Sequence, residues 1–407
     1  MSAVATPPLA RSIALTTRSF GSYSGVSRVA PDVLLALARC TSDMRVVSWV
    51  PRHVPSQVDG QPLGPIRLEA LPLRRVARAV ARREAPPRSL LEHALLAVAA
   101  ARVPTDAAPP LLEVVNGLGA HTLSQCAFGA GASGVLRAVV VHESPRHLEE
   151  IGPSALQSGM AALRSYALRV FVSERGRTEW DARIGLDPAS SLCIPNCARE
   201  SEVARVSALE RSQLRRRLGY DDGSLRVVVV GSVIWRKGPD LLLAAAERLT
   251  AQRIELKIDL LGPCASPWAR QLERGLRGTA LARRVRFLGS VDDVYERIFA
   301  ADVLALASRA EAFPLSVLEA LALGTCVVAA NVDGIVEQVE HERSGLLFAR
   351  EAVDELAAQL TRVAVDPQLR AALAAAGRER YKARFQRSLQ LSRWADAVRR
   401  ALQGPQS

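Results

Sequence analysis

The 407-residue chain is poor in aromatic residues, which make up 4% of it. Proteins that bind single-stranded nucleic acid need such rings as stacking platforms. No nucleic-acid recognition motif occurs either, so no nucleic-acid partner is expected. Cysteine is scarce and unpatterned: Cys40, Cys126, Cys193, Cys197, Cys264 and Cys326 form no CxxC pair and no His/Cys ligand cluster. That speaks against a zinc module and a disulfide framework, and the six read as reduced thiols of a cytoplasmic protein. No apolar run is long enough to span a bilayer, and Met1 to Ala10 has neither a basic start nor an apolar core. Neither a membrane span nor a signal peptide is therefore expected. No internal repeat is evident, and no G-x-S-x-G elbow surrounds Ser144, which excludes a serine hydrolase.

What is present describes a globular chain. Hydrophobic residues make up 49% and charged residues 23%, and the length suits two domains of ordinary size. A net charge of +12, carried largely by arginine, favours anionic partners such as nucleotides or lipid headgroups.

The first half repeats one pattern. Ser12 to Phe20 reads as a strand, Gly21 and Gly25 lie in a following loop, a helix runs from about Ser27 to Arg39, and Arg45 to Val50 is the next strand. Strand, glycine loop, helix and strand make a βαβ unit, hence a parallel sheet. A glycine loop ahead of a helix can approach a phosphate closely. Pro51 to Pro65 reads as a Pro/Gly-rich connection and Ile66 to Arg88 as a basic segment. Further strands are expected at Leu111–Gly119, Arg137–Arg146, Arg169–Glu174 and Ser191–Cys197, with a helix around Ala120 to Ala130. His142 sits where one strand leaves the sheet, the end at which parallel sheets bind ligands.

The second half behaves likewise. Arg199 to Ser224 reads as a linker with a leading helix, and Leu225 to Val233 as a strand buried on both faces. Arg236 and Lys237 precede Gly238-Pro239 and an amphipathic helix. Two cations at a helix start suit a diphosphate. Strands at Glu255–Gly262 and Arg283–Asp293 follow, then a helix and a strand ending at Ser308. The segment Arg309 to Ala330 then reads loop, helix, turn and strand. Pro314 suits the first helical turn, Leu315, Leu318, Leu321 and Ala322 make one apolar face, and Gly324 ends the helix. Glu311 lies in the loop and Glu319 in the helix, with seven residues between them. The amides of Leu315, Ser316 and Val317 are expected to be free donors where an anion is favoured. A ligand with a phosphate and a polyol could touch these amides and a carboxylate together.

Glu311-Ala312-Phe313-Pro314, Glu319-Ala320 and Gly324 resemble the E-x7-E signature of the family-4 retaining glycosyltransferases, the group 1 glycosyltransferases. The resemblance implies an α/β chain of GT-B fold, two Rossmann-like doubly wound domains facing a central cleft. The domains are expected at 1–198 and 199–385, with residues 386–407 as a helix crossing back to the first. It implies a retaining, metal-independent transfer of a sugar from a UDP- or GDP-sugar to a glycan acceptor, lipid-linked or soluble, in polysaccharide or glycoconjugate synthesis. No cofactor is expected, since the nucleotide sugar is a substrate.

The resemblance also assigns residues. Glu311 faces the donor sugar and Glu319 holds the ribose. Arg236 and Lys237 hold the diphosphate with Ala312, Phe313, Pro314, Leu315 and Ser316, and His142 lies near the sugar. Gly21 and Gly25 lie near phosphate and acceptor. The chain departs from the family pattern at Ser232, where Arg is usual, and at Cys197 and Asp333, where Gly is usual. A non-catalytic binding subunit and a sugar-nucleotide epimerase of the same fold stay open. A phosphorylase would need a pyridoxal phosphate lysine motif, and none is found.

The basic segment generates an expectation about location. Drawn as a helix, Leu73 to Arg83 puts Leu73, Val76, Ala77 and Val80 on one face and Arg74, Arg75, Arg78 and Arg82 on the other. The apolar face suits a core. The basic face suits an anionic membrane surface on the cytoplasmic side, at roughly 1 kcal/mol per arginine. The protein is expected to co-sediment with anionic but not neutral vesicles, more weakly in salt, and Gln at the four arginines should abolish this. Failure of the wild type to bind anionic vesicles at low salt refutes the membrane reading.

Overall fold

The computed structural model describes residues 13–17, 25–41, 44–48, 57–58, 61–62, 66–70, 112–118, 135–220 and 223–403. Two compact units emerge. The first comprises Met1–Val172, Arg177–Ile194 and Leu391–Ser407; the second comprises Ser173–Gly176 and Pro195–Gln390.

The first unit is built on seven parallel strands in the order β5-β2-β1-β6-β7-β8-β9. Their ranges are β1 Ile13–Thr17, β2 Met44–Ser48, β5 Ile66–Ala70, β6 Leu112–Asn116, β7 Leu136–Val141, β8 Leu168–Phe171 and β9 Ser191–Cys193. The short pair β3 Gln57–Val58 and β4 Gln61–Pro62 forms an antiparallel ladder. On one face Val115, Val139, Val141 and Phe171 pack with Leu148, Leu163, Tyr166 and the fully buried Trp180.

Two expectations need correction, and a third segment gains an element. Gly25 is not in a loop, because it opens the helix Gly25–Ala38. Pro51 to Pro65 is not wholly a connection, since the β3–β4 ladder interrupts it. Ile66–Ala70, read as the start of a basic segment, is the edge strand β5, paired with β2 from Ile66 opposite Met44 to Ala70 opposite Ser48. Gly21, the helix expected around Ala120 to Ala130, and Arg74, Arg75, Arg78 and Arg82 lie outside the described residues.

The second unit carries six parallel strands in the order β12-β11-β10-β13-β14-β15. These are β10 Leu225–Val230, β11 Leu256–Leu261, β12 Val285–Gly289, β13 Val303–Leu306, β14 Cys326–Ala330 and β15 Leu346–Phe348. Every residue of β10, β13 and β14 is buried, as expected of strands covered by helices on both faces. The chain starts mid-sheet at β10, winds outward through β11 to β12, then returns to the other side of β10 with β13. The order reverses between β10 and β13. In open parallel sheets that switch point, at the C-terminal ends of the strands, is where ligands bind. Among the described residues no helix is long and apolar enough to cross a membrane.

At the switch point two backbones meet. Gly238 follows β10, has φ +66°, and a Cβ on it would stand 1.9 Å from the Ala307 carbonyl oxygen beyond β13. Gly219 has a similar φ of +67°, but a Cβ there would meet nothing within 4 Å. Gly219→Ala should therefore carry only the left-handed backbone penalty, about 1–2 kcal/mol. Gly238→Ala adds a clash that neither backbone can yield to cheaply, for a total of about 2–4 kcal/mol. Urea unfolding of the two variants checks this, and equal losses would show that the close approach is unimportant.

Candidate active site

Two loops form the switch point of the second sheet. After β10, Gly231 to Ile234 lead into a single 3-10 turn, Trp235–Lys237, which Gly238 joins to the helix Pro239–Ala251. After β13, Ala307 to Phe313 lead into the helix Leu315–Leu323, with Pro314 as its N-cap and Gly324 closing it at φ +70°. Proline offers no side-chain acceptor, and none caps this helix start. Its first amides are thus the donors expected from the sequence.

The loops are laced together. The Arg309 N–H donates to the Arg236 carbonyl at 2.8 Å. Arg236 Nη1 donates to the Ala310 carbonyl at 2.6 Å and lies 3.3 Å from Glu311 Oε1. The Lys237 ammonium pairs with the same carboxylate oxygen. Ser308 Oγ donates to it at 3.0 Å, and the Glu311 N–H donates to Asp333 Oδ2 at 2.7 Å. Glu311 is 7% exposed and Glu319 is 1% exposed, so neither is the solvated surface carboxylate that composition alone favours. Burial raises the Glu311 carboxyl, but Lys237 and Arg236 outweigh it and hold the group below its ordinary value. Burial, helped by Arg236, pulls the Lys237 ammonium below the usual lysine value against the pull of Glu311. The cluster is an ionised carboxylate, its two cations and a hydroxyl at the mouth of a parallel sheet.

Other residues of the site escaped sequence reading. Arg309 is 4% exposed and grips three elements. It donates through Nη1 to the Trp235 carbonyl, through Nη1 and Nη2 to Asp240, and through Nε to Glu351. Its guanidinium also lies 4.2 Å from the centroid of the half-exposed Trp235 ring. Gln338 donates to the Pro314 carbonyl at 3.0 Å. Asn196 donates to the Phe313 carbonyl at 3.3 Å, with Cys197 buried beside it. The carbonyls of Phe313 and Pro314, at the start of the Glu319 helix, are thus held from two sides. The loop after β10 has Ser232 where Arg was the usual residue, and the Arg236 guanidinium is committed to the Glu311 loop. Two cavities of about 810 and 710 Å³ in this unit share Arg211, Asp302 and Arg370 and contain none of these residues.

His142, in the first unit, follows β7 at a strand's C-terminal end. Its Nε2 lies 2.8 Å from Asn116 Oδ1 at the end of β6. An amide oxygen only accepts, so the neutral ring carries its proton on Nε2. Glu143 braces the turn, accepting from the His142 and Leu118 amides, while its carbonyl accepts from Trp180 Nε1.

Both units are doubly wound parallel sheets, and the fold is GT-B. Overlay on solved structures agrees: 96% of this chain matches 98% of a sucrose-phosphate synthase from Thermosynechococcus elongatus at 21% identity and a TM-score of 0.75. Likewise 95% of it matches 99% of Anabaena HepE in complex with UDP-glucose at 20% identity and a TM-score of 0.73. Residues 210–380 match the family described as glycosyl transferases group 1, so the second unit carries the module of that family.

Two relatives place the match further. A D-inositol 3-phosphate glycosyltransferase of Geodermatophilus obscurus is 36% identical over 184 residues, 43% of this chain and 40% of that protein. A GDP-mannose-dependent α-(1-6)-phosphatidylinositol monomannoside mannosyltransferase of Mycobacterium tuberculosis is 28% identical over 283 residues, 66% of this chain and 70% of that one. The chain spans less than half the length of the inositol 3-phosphate relatives that it matches, between 40% and 46% for three of them.

Burial pushes the His142 pKa down to about 4 from 6.5. As pH falls through 6.5 the unfolded chain binds a proton that the folded ring refuses until about pH 4, so stability is lost across that window. The loss is at most about 3 kcal/mol, reduced by whatever water reaches the part-exposed ring. Urea unfolding from pH 7 to 4.5 should show a shallower acid decline in His142→Gln than in wild type. Parallel declines would mean that the ring titrates normally.

Proposed function

We propose that this chain is a retaining glycosyltransferase that moves a sugar from a UDP- or GDP-sugar to an acceptor hydroxyl. The observation that carries the reading is the Lys237–Glu311–Arg236 cluster at a sheet switch point, beside an uncapped helix start and the buried Glu319. In the reaction the bond from the anomeric carbon to the diphosphate oxygen breaks, and one to the acceptor oxygen forms on the same face. The leaving phosphate takes the acceptor's proton.

Negative charge grows on the diphosphate as the bond breaks. Lys237, Arg236 and the amides after Pro314 would stabilise that charge without a metal ion. Glu319 would accept from ribose hydroxyls and Glu311 from sugar hydroxyls, its depressed pKa keeping it an acceptor. His142, neutral at working pH, would hydrogen-bond the sugar. The names of the relatives, an inositol 3-phosphate glycosyltransferase and a phosphatidylinositol mannoside mannosyltransferase, favour a phosphorylated or lipid-linked polyol acceptor and a role in glycoconjugate synthesis at the cytoplasmic membrane face. The departures at Ser232, Cys197 and Asp333 favour a second reading, a subunit that binds nucleotide sugar without turning it over.

Incubation with UDP- and GDP-sugars separates the two, since only an enzyme releases nucleoside diphosphate. Lys237→Ala should lower kcat by about 10²–10³, the weight of one donor acting on transition-state charge. Its melting temperature is needed as a control, because the change leaves Glu311 buried with Arg236 as its remaining cation. Ribose is unchanged during transfer, so Glu319→Gln should mainly raise donor KM, whereas Glu311→Gln should mainly lower kcat. A Lys237→Ala protein with near-normal kcat would sink the diphosphate assignment.

A further inference from the structure

We infer that Asp333, resting on the transferase reading above, is a positioning residue that holds the Glu311 backbone in place while its own backbone is strained. The family pattern has glycine at this position. Here a carboxylate side chain is 2% exposed and its backbone has φ +38°. The other non-glycine residues at positive φ among the described residues, Arg253, Glu342 and Glu351, are all exposed. Left-handed backbone in a non-glycine residue is unfavourable and persists only where the surroundings hold it.

The surroundings do hold it. The segment 333–334 lies flat against 311–312, so close that a Cβ on Gly334 would stand 1.8 Å from the Ala312 carbonyl oxygen. Two hydrogen bonds then clamp Glu311 from both sides of its Cα. Its N–H donates to Asp333 Oδ2 at 2.7 Å, and its carbonyl accepts from the Gly334 N–H at 3.2 Å. The first is charge-assisted and short. The Glu311 side chain is thereby aimed at Lys237, Arg236 and Ser308. Glycine at 333 would relieve the strained backbone and leave the Glu311 amide without that acceptor. Stability and catalysis should therefore part company, which a residue kept for packing alone would not produce.

Full-length Asp333→Gly, Asp333→Ala and Asp333→Asn proteins test this by three measurements: melting temperature, hydrogen exchange at the Glu311 amide, and turnover of UDP- and GDP-sugars. The Gly variant should melt at or above wild type, exchange the Glu311 amide at least about tenfold faster, and lose about three- to tenfold in kcat with donor KM nearly unchanged. The Ala variant keeps the strain without the acceptor and should lose both stability and kcat. The Asn variant, whose amide oxygen still accepts, should stay within about twofold of wild type in exchange and kcat.

Unchanged Glu311 exchange in the Gly variant overturns the inference. So does a Gly variant that loses melting temperature and kcat together, or an Asn variant impaired as much as Gly. If wild type turns over no donor, the transferase reading fails, while the exchange measurement still decides what Asp333 holds.

Discussion

The second unit depends on one buried ion pair, Lys237 with Glu311, with Arg236 against the same carboxylate oxygen. Taking such charges out of water is unfavourable by several kcal/mol per ion, and Coulomb attraction offsets this only when the geometry is good and the remaining polar atoms are bonded. Here residues from two loops 74 positions apart in sequence converge on the carboxylate, while Arg236 Nε is buried without a hydrogen-bond partner among the described residues. Ser308 donates to the carboxylate and Arg236 donates to the Ala310 carbonyl. A hydrophobic pair of similar volume would hold the loops at least as well. Retaining ions at a strand-end crevice therefore points to chemistry rather than to stability as what they supply.

The rest of the unit serves that placement. The reversal of strand order between β10 and β13 brings the two loops side by side, and Gly238 lets their backbones touch. Arg309 ties the 3-10 turn to Asp240 in the next helix and to Glu351 beyond β15, so neither cation-bearing residue can move without disturbing several hydrogen bonds. From the other side, Asn196, Gln338 and Asp333 fix the backbone from Glu311 to Pro314. A site with both loops anchored this way is preorganised, and preorganised charge is what an ionising leaving group needs.

Much of this was legible in the sequence because it follows from local rules. Runs such as Leu225–Val230 and Cys326–Ala330 carry the uninterrupted apolar pattern of buried parallel strands. Pro314 and Gly324 mark the ends of the Glu319 helix, and the spacing of Glu311 and Glu319 marks the candidate site. What escaped was whatever depends on partners distant in sequence. Ile66–Ala70 opens the segment read only as basic, yet pairing with β2 makes it a strand. Arg309 has no local signal, because all its partners lie on other elements. Asp333 read as a defect in a glycine pattern, since nothing in one dimension shows that its carboxylate meets the Glu311 amide.

A second buried ion network in the same unit shows why position, not composition, identifies the site. Asp259 is fully buried in the middle of β11, where Arg286 of the adjacent β12 grips both its oxygens at 2.7 and 2.6 Å. Tyr220 Oη donates to it at 2.7 Å, Arg226 lies 3.5 Å away, and the Arg226 guanidinium sits over the Tyr220 ring. By charge and burial alone this network rivals the Lys237–Glu311 cluster, and burial with Asp259 close by pushes the Tyr220 hydroxyl pKa up strongly. Its acid, however, lies in register within the sheet, opposite Val228 on one side and Arg286 on the other, and protein groups close around it. The Glu311 cluster lies past the last residues of β10 and β13, where the sheet ends and the backbone opens into loops. The same electrostatics thus binds strand to strand in one place and gathers paired charge at a loop crevice in the other, and the reversal of strand order separates the two.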